Sequence, residues 1–427
     1  MAAAILSSII FFGSLFLIFS EKLNRSITAI AGAALMMVLG RGLGFYSEEA
    51  ALEAIDFNTL GLLLGMMILV AMLEPTGFFQ YLAVLAARSS RGNPIRLLML
   101  LGSITTVLSM FLPNVTTIVL IAPITILISE ILGISAIPYL IAEALLSNTG
   151  GVATLIGDPP NVLIGSAAGF SFTDFLVYSL PIVFVSWAGA LALLRYLFRR
   201  ELSKRPRNMK AVMQLNPAET LNEPHTARMI LIVLGIAILF FFVHHALAVS
   251  PAFIALGAAA AALVLVRPDL ERMLEKIEWS VLIFFTALFI MVGGVEAAGA
   301  LEVVTGLLER LSTVPPVLFG VGFIWLVAAL SAVVDNVPIT IALIPVIHRL
   351  GDSGMDVTPL WWALAFGAGF GGSGTIVGST VNIIVAELSE KTRTPITSKV
   401  WNKRGLPVML ITCAIASIMF AIFYNFF

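Results

Sequence analysis

Two aspartates, Asp158 and Asp335, stand in otherwise apolar sequence, the first in NTGGVATLIGDPPN (148–161) and the second in SAVVDNVP (331–338). A carboxylate in such surroundings is costly unless it is paired or used. No lysine or arginine lies in the glycine-rich stretches 148–161 and 371–382 or in the polar tips at 113–117 and 335–338. A proton or a sodium ion is then the natural partner for these acids. The competing structural reading is that each aspartate caps a helix start.

Small polar residues around the acids supply the rest of a candidate ion or solute site. These are Asn148, Thr149, Gly150, Gly151 and Asn161 in the first glycine stretch, and Gly371, Gly372, Ser373, Thr375 and Asn382 in the second. Asn114, Thr116, Thr117 and Asn336 stand at the two tips. Asparagine and threonine can ligate an ion or bond a hydroxylated solute, or they can simply satisfy the backbone at a tip. A sodium ion could sit at Asn114 or Asp335. Of the two acids, Asp335 is expected to meet the cation and Asp158 to fix the opposite face of the site. Glu143 is either a third proton carrier or a backbone-bonded or interfacial glutamate. Glu74 and Glu296, at span ends, read as solvated acids, and His244 and His245 as interfacial. The lone Cys413 excludes an intrachain disulfide and a thiolate metal cluster, and no cofactor is expected.

These residues recur in pairs. Gly150/Gly371, Gly151/Gly372, Thr154/Thr375, Gly157/Gly378 and Asn161/Asn382 share one constant spacing, and Glu74/Glu296, Asn114/Asn336 and Pro123/Pro345 share another that is one residue larger. The chain reads as a duplicated unit: 1–198, a basic linker 199–224, and 225–427.

Composition sets the class. With 427 residues, 59% hydrophobic, 11% charged and a mean hydropathy of +1.03, the chain reads as an all-α polytopic membrane protein. Spans are expected at 3–20, 27–45, 57–73, 175–195, 227–247, 250–266, 279–295 and 405–425, with an interfacial amphipathic helix after 76. Segments 95–132 and 316–349 are apolar pairs split only by a polar tip, and they read as re-entrant hairpins. Segments 138–169 and 358–388 read as broken helices, whose interrupted backbone is tolerated at bilayer depth only where it lines a protein cavity. Each break should expose free carbonyls at one half-helix end and free amides at the next, one pole for a cation and one for an anion. Five crossings and one hairpin per unit make the second unit inverted.

Charge orients the chain. With both termini outside, all of the 24 lysines and arginines except Arg41, Arg310 and Arg349 fall on the inner side. The linker run RRELSKRPRNMK (199–210) reads as a topology-setting cytoplasmic loop rather than a nucleic-acid patch.

IGDPPN (156–161), LPNVTT (112–117) and SAVVDNVP (331–338) resemble the ion transporter superfamily of arsenite permeases (ArsB), sodium/proton antiporters (NhaD), the melanosomal P protein and the sodium-coupled dicarboxylate and citrate carriers, most of all its P-protein and ArsB-like branch. Pro113 replaces the aspartate that related members often carry at the first tip, and neither tip has the Ser-Asn-Thr of dicarboxylate carriers. The resemblance implies an elevator-type carrier of the cell (inner) membrane, working as a homodimer and, if of arsenite type, with a soluble ATPase.

The expected function is secondary active transport of a small inorganic ion or an oxyanion or hydroxide such as arsenite or antimonite, coupled to protons or sodium, and not enzymatic. Sodium/proton antiport and di- or tricarboxylate transport are the alternatives. A channel would use similar re-entrant elements. An intramembrane aspartyl protease ranks last, because Leu155 occupies the first glycine position of its GxGD signature. The absence of basic residues from tips and breaks counts against a bare multivalent anion.

Overall fold

The computed structural model describes residues 2–19, 23–204, 206–300, 314–392 and 394–427. Lys22, Arg205, Arg310 and Arg393, which enter the charge argument, lie outside the described residues. Among the described residues all regular structure is helical. Eight helical runs there are long and apolar enough to cross a membrane.

The first helices are α1 (Ala2–Phe19), α2 (Arg25–Gly42) and α3 (Phe57–Leu73). Their starts are set locally: the Asn24 side chain accepts from the N–H groups of Ser26 and Ile27, and Asp56 does the same for Asn58 and Thr59. The helix after 76, α4 (Phe78–Ser90), buries Phe79, Ala83, Ala86 and Ala87 against the following pair.

That pair is α5 (Pro94–Phe111) and α6 (Asn114–Leu132), joined only by Leu112 and Pro113. Next comes a helix in two pieces, α7 (Ile137–Gly151) and α8 (Pro159–Ala168). The ladder stops at the glycine pair and restarts at Pro159 and Pro160, whose missing N–H groups fall at the first positions of a helix, where no intrahelical partner is needed. A π-helical turn, Phe175–Ser179, leads into α9 (Leu180–Leu197). The basic linker is partly folded: its Asn222 N–H donates to Thr76 O at 2.9 Å, beside α4.

The second half supplies α10 (Pro224–Val243), α11 (Pro251–Val266) and α12 (Trp279–Ala297). A second tight pair follows, α13 (Pro316–Val333) and α14 (Asn336–Asp352), then a second interrupted helix, α15 (Thr358–Gly371) and α16 (Thr380–Glu390), and finally α17 (Ser398–Ile422).

Packing follows small residues. A Cβ on Gly150 of α7 would lie 2.5 Å from Thr106 O of α5, and one on Gly371 of α15 would lie 2.6 Å from Ala328 Cα of α13. Each interrupted helix thus touches its pair backbone to backbone, as close packing without a side chain allows. Elsewhere α2 lies along α12, with Ser26 Oγ donating to Ser280 O at 2.9 Å, and α3 lies along α11. Large apolar side chains such as Phe16, Val38, Phe253, Val264 and Ile422 point outward and exposed, the surface a bilayer would cover.

Candidate functional site

The two tight turns place Asn114 and Asn336 at the first positions of α6 and α14, and the two breaks place Asp158 and Ser379 just before α8 and α16. The starts of these four helices meet around one small cavity of about 50 Å³. Four helix N-termini give it a ring of positive backbone poles.

Asp158 is at its centre. Asn114 Nδ2 donates to Asp158 Oδ1 at 3.1 Å, and Asn336 Nδ2 donates to Asp158 Oδ2 at 2.9 Å. The carboxylate makes no cap bond to α8. The capping alternative therefore fails for Asp158, which instead joins the two tips. Asp335 does cap its own helix, accepting from the Val337 N–H at 3.1 Å, and it also accepts from Thr380 Oγ1 at 3.1 Å.

One expectation is overturned here. The acids do have a permanent cation nearby: Arg25, at the start of α2, lines the same cavity. Its Nη1 donates to Thr380 Oγ1 at 2.5 Å, its field acts on Asp335, and its guanidinium packs over the Phe284 ring at 5.6 Å. The inference that rested on a site free of basic residues, that a bare anion is disfavoured, loses its ground. Arg25 sits far from both acids in sequence, so reading basic residues tip by tip misses it. Glu278, before α12, was also missed; it accepts from Thr116 Oγ1 at 3.2 Å. The only signal was its place at the end of a span, where an acid looks ordinary.

The breaks are closed by the two matched asparagines. Asn161 Nδ2 reaches the carbonyls of Gly151, Val152 and Thr154 at 3.1, 3.0 and 2.8 Å, and Asn382 Nδ2 reaches those of Gly372 and Thr375 at 2.7 and 2.8 Å. The carbonyl poles expected to face a cation are thus turned onto these side chains. Asn148 links the two breaks, donating to Asn382 Oδ1 at 3.0 Å and accepting from Ser379 Oγ at 3.1 Å.

Other expected site residues lie away from the cavity. Thr117 and Thr149 hydroxyls bond carbonyls of their own helices, Thr375 Oγ1 ties the second break to Ala332 O at 2.6 Å, and the Ser373 carbonyl accepts from Trp401 Nε1 at 3.2 Å. Gly150 and Gly371 serve helix contact, while a Cβ on Gly151 or Gly372 would press on Asp158 Cβ at 3.1 Å or Gly378 O at 3.0 Å. Glu143 is fully buried between α7 and α6, held by Thr125 Oγ1 at 2.5 Å. His244 is buried and accepts from the Phe172 N–H at 3.3 Å, where an interfacial side chain was expected. Among the described residues no cluster of histidine, cysteine and carboxylates could hold a metal.

This architecture is that of a membrane transporter. The fold matches the Alcanivorax borkumensis YdaH transporter with a TM-score of 0.62 over 98% of each chain, at 14% identity. The chain belongs to the citrate transporter family, whose description matches residues 15–367. It is 37% identical to a 46 kDa membrane protein of Mycobacterium leprae over 94% of both chains, and 34% identical to an uncharacterized transporter of Mycobacterium tuberculosis over 97% of both. It is also 31% identical to the human P protein, of which it spans 57%.

Proposed function

We propose that the chain is a secondary active transporter that couples a small charged or hydroxylated solute to protons or sodium. The observation that carries this reading is Asp158, a buried carboxylate bonded on both oxygens by the tip asparagines and, among the described residues, by no cation. The cavity holds two acids and one guanidinium, one positive charge short of neutrality. A proton or a sodium ion supplies it. Because Asp335 already has Arg25 and a helix start beside it, Asp158 is the better carrier of that charge for as long as Arg25 stays in place, the reverse of the assignment drawn from sequence.

Size favours a small solute in this conformation. A single water needs roughly 10–15 Å³ measured this way, so about 50 Å³ admits an ion or an arsenite-sized hydroxide and excludes a tricarboxylate. Arg25 and the helix starts add an anionic species to that range. The matched bonds of Asn161 and Asn382 support two inverted units, 1–198 and 225–427, in which α5–α6 and α13–α14 are re-entrant hairpins that move with the broken helices past α2, α3, α11 and α12. Both termini then lie outside and the linker 199–224 in the cytoplasm.

The test is uptake by proteoliposomes under an imposed pH or sodium gradient, screening arsenite, antimonite, sodium, chloride, phosphate, succinate and citrate. Gradient-driven movement of one of these, lost in Asp158→Asn, is the expected result. Currents too large for carrier turnover would replace the transporter with a channel.

A further inference from the structure

Arg25 and Glu278 stand at the starts of α2 and α12, two helices packed side by side, and each reaches across to a different tip or break. Arg25 bonds Thr380 at the second break, and Thr380 in turn donates to Asp335 at the second tip; Glu278 accepts from Thr116 at the first. The charged groups that line the cavity with Asp335 are Arg25 and Asp158, Glu278 standing beside Thr116 of the first tip, while α6, α14 and α16 bring only neutral side chains to the cavity.

From this geometry we infer that Arg25 is a tethered cation: it holds the Asp335 side of the empty site and competes there with the incoming proton or sodium ion. The inference rests on the transporter reading of the cavity and adds a residue to it. Arg25 has somewhere to go when displaced, because its charge acts on Glu278 as well as on Asp335. Glu278 stands at the start of the helix packed beside that of Arg25, so a displaced guanidinium has a second carboxylate on the same helix pair. An unoccupied site is thereby left with one uncompensated carboxylate instead of two, and a bound cation frees the second break from α2. The ring of Phe284 beneath the guanidinium limits where it can swing. Arginine suits this task because its charge does not titrate.

The test uses the purified full-length chain in detergent, with thermal stability followed in two titrations: sodium chloride replacing choline chloride at constant ionic strength, and pH in choline chloride. The pH series is repeated in an Asp158→Asn background, so that Asp158 does not contribute. If Arg25 competes, Arg25→Gln reaches half of its sodium response at a concentration at least about tenfold lower than the unaltered chain, or its pH midpoint rises by about one unit, a tenfold change in proton affinity. Thr380→Val, which removes the bridging hydroxyl and keeps every charge, shifts the same way by less and serves if Arg25→Gln does not fold. Arg25→Lys stays near the unaltered chain. Asp335→Asn abolishes the shift, alone and combined with Arg25→Gln. Unshifted responses in both Arg25→Gln and Thr380→Val, or no response of the unaltered chain in either titration, overturn the inference. Full responses in both Asp335→Asn and Asp158→Asn reject the cation site itself, whatever Arg25 does.

Discussion

The carboxylate of Asp158 is shared between Asn114 and Asn336, one oxygen to each, at 3.1 and 2.9 Å. The two asparagines stand at the starts of α6 and α14, so a single side chain fixes both polar tips against the first break.

Asp158→Asn is therefore the most informative single change. An asparagine there keeps the volume but offers one acceptor in place of two, so one tip amide faces another donor. We expect a folded protein whose gradient-driven uptake falls by at least about 100-fold, equivalent to ~2.7 kcal/mol. Uptake and thermal stability measured on the same preparation check this, and uptake within a few-fold of normal counts against the role given to Asp158.

The two tips should be energetically coupled through that carboxylate. Asn114→Ala and Asn336→Ala each leave one oxygen without its donor, and a double-mutant cycle on uptake rates should give a coupling of about 0.5–3 kcal/mol, as for residues sharing one hydrogen-bond network. Strict additivity would mean that the tips act independently.

Asn161→Ala and Asn382→Ala should lower stability, because each removes donors from buried carbonyls of a break, of Gly151 and Thr154 in one case, Val152 keeping its bond from Ser179 Oγ, and of Gly372 and Thr375 in the other. The expected loss is about 1–2 kcal/mol each, read as a lower Tm. If Tm holds while uptake is lost, these asparagines contact the solute.

Glycine positions one residue apart should fail differently. Gly150→Val forces a Cβ to within 2.5 Å of Thr106 O and should cost folding, whereas Gly151→Val meets Asp158 Cβ at 3.1 Å and Gly157 O at 3.4 Å and should leave a folded protein without transport. Yield from membranes together with uptake separates the two outcomes.

Orientation can be read directly. Ser203 and Asp352 are exposed, and in a Cys413→Ala background a cysteine at Ser203 should react with an impermeant thiol reagent only from the cytoplasm and one at Asp352 only from outside. Labelling of both from one face rejects the inverted arrangement.

The sequence by itself determined the helical membrane class, the two polar tips, the two breaks and the acids, because each is a local property. Apolar run length sets a span, a Gly-Gly or Pro-Pro step stops a backbone ladder, and a carboxylate in apolar sequence is conspicuous. Tertiary structure decided what those residues do. Asn336 meets Asp158 across 178 positions of chain and Arg25 meets Thr380 across 355, distances over which no periodicity carries information. Arg25 looked like a charge that orients a helix, and only packing of α2 beside the second break turns it toward Asp335. Asn161 and Asn382 looked like ligands for the same reason in reverse: their type permits it, but the carbonyls left open by each break lie closer than any solute.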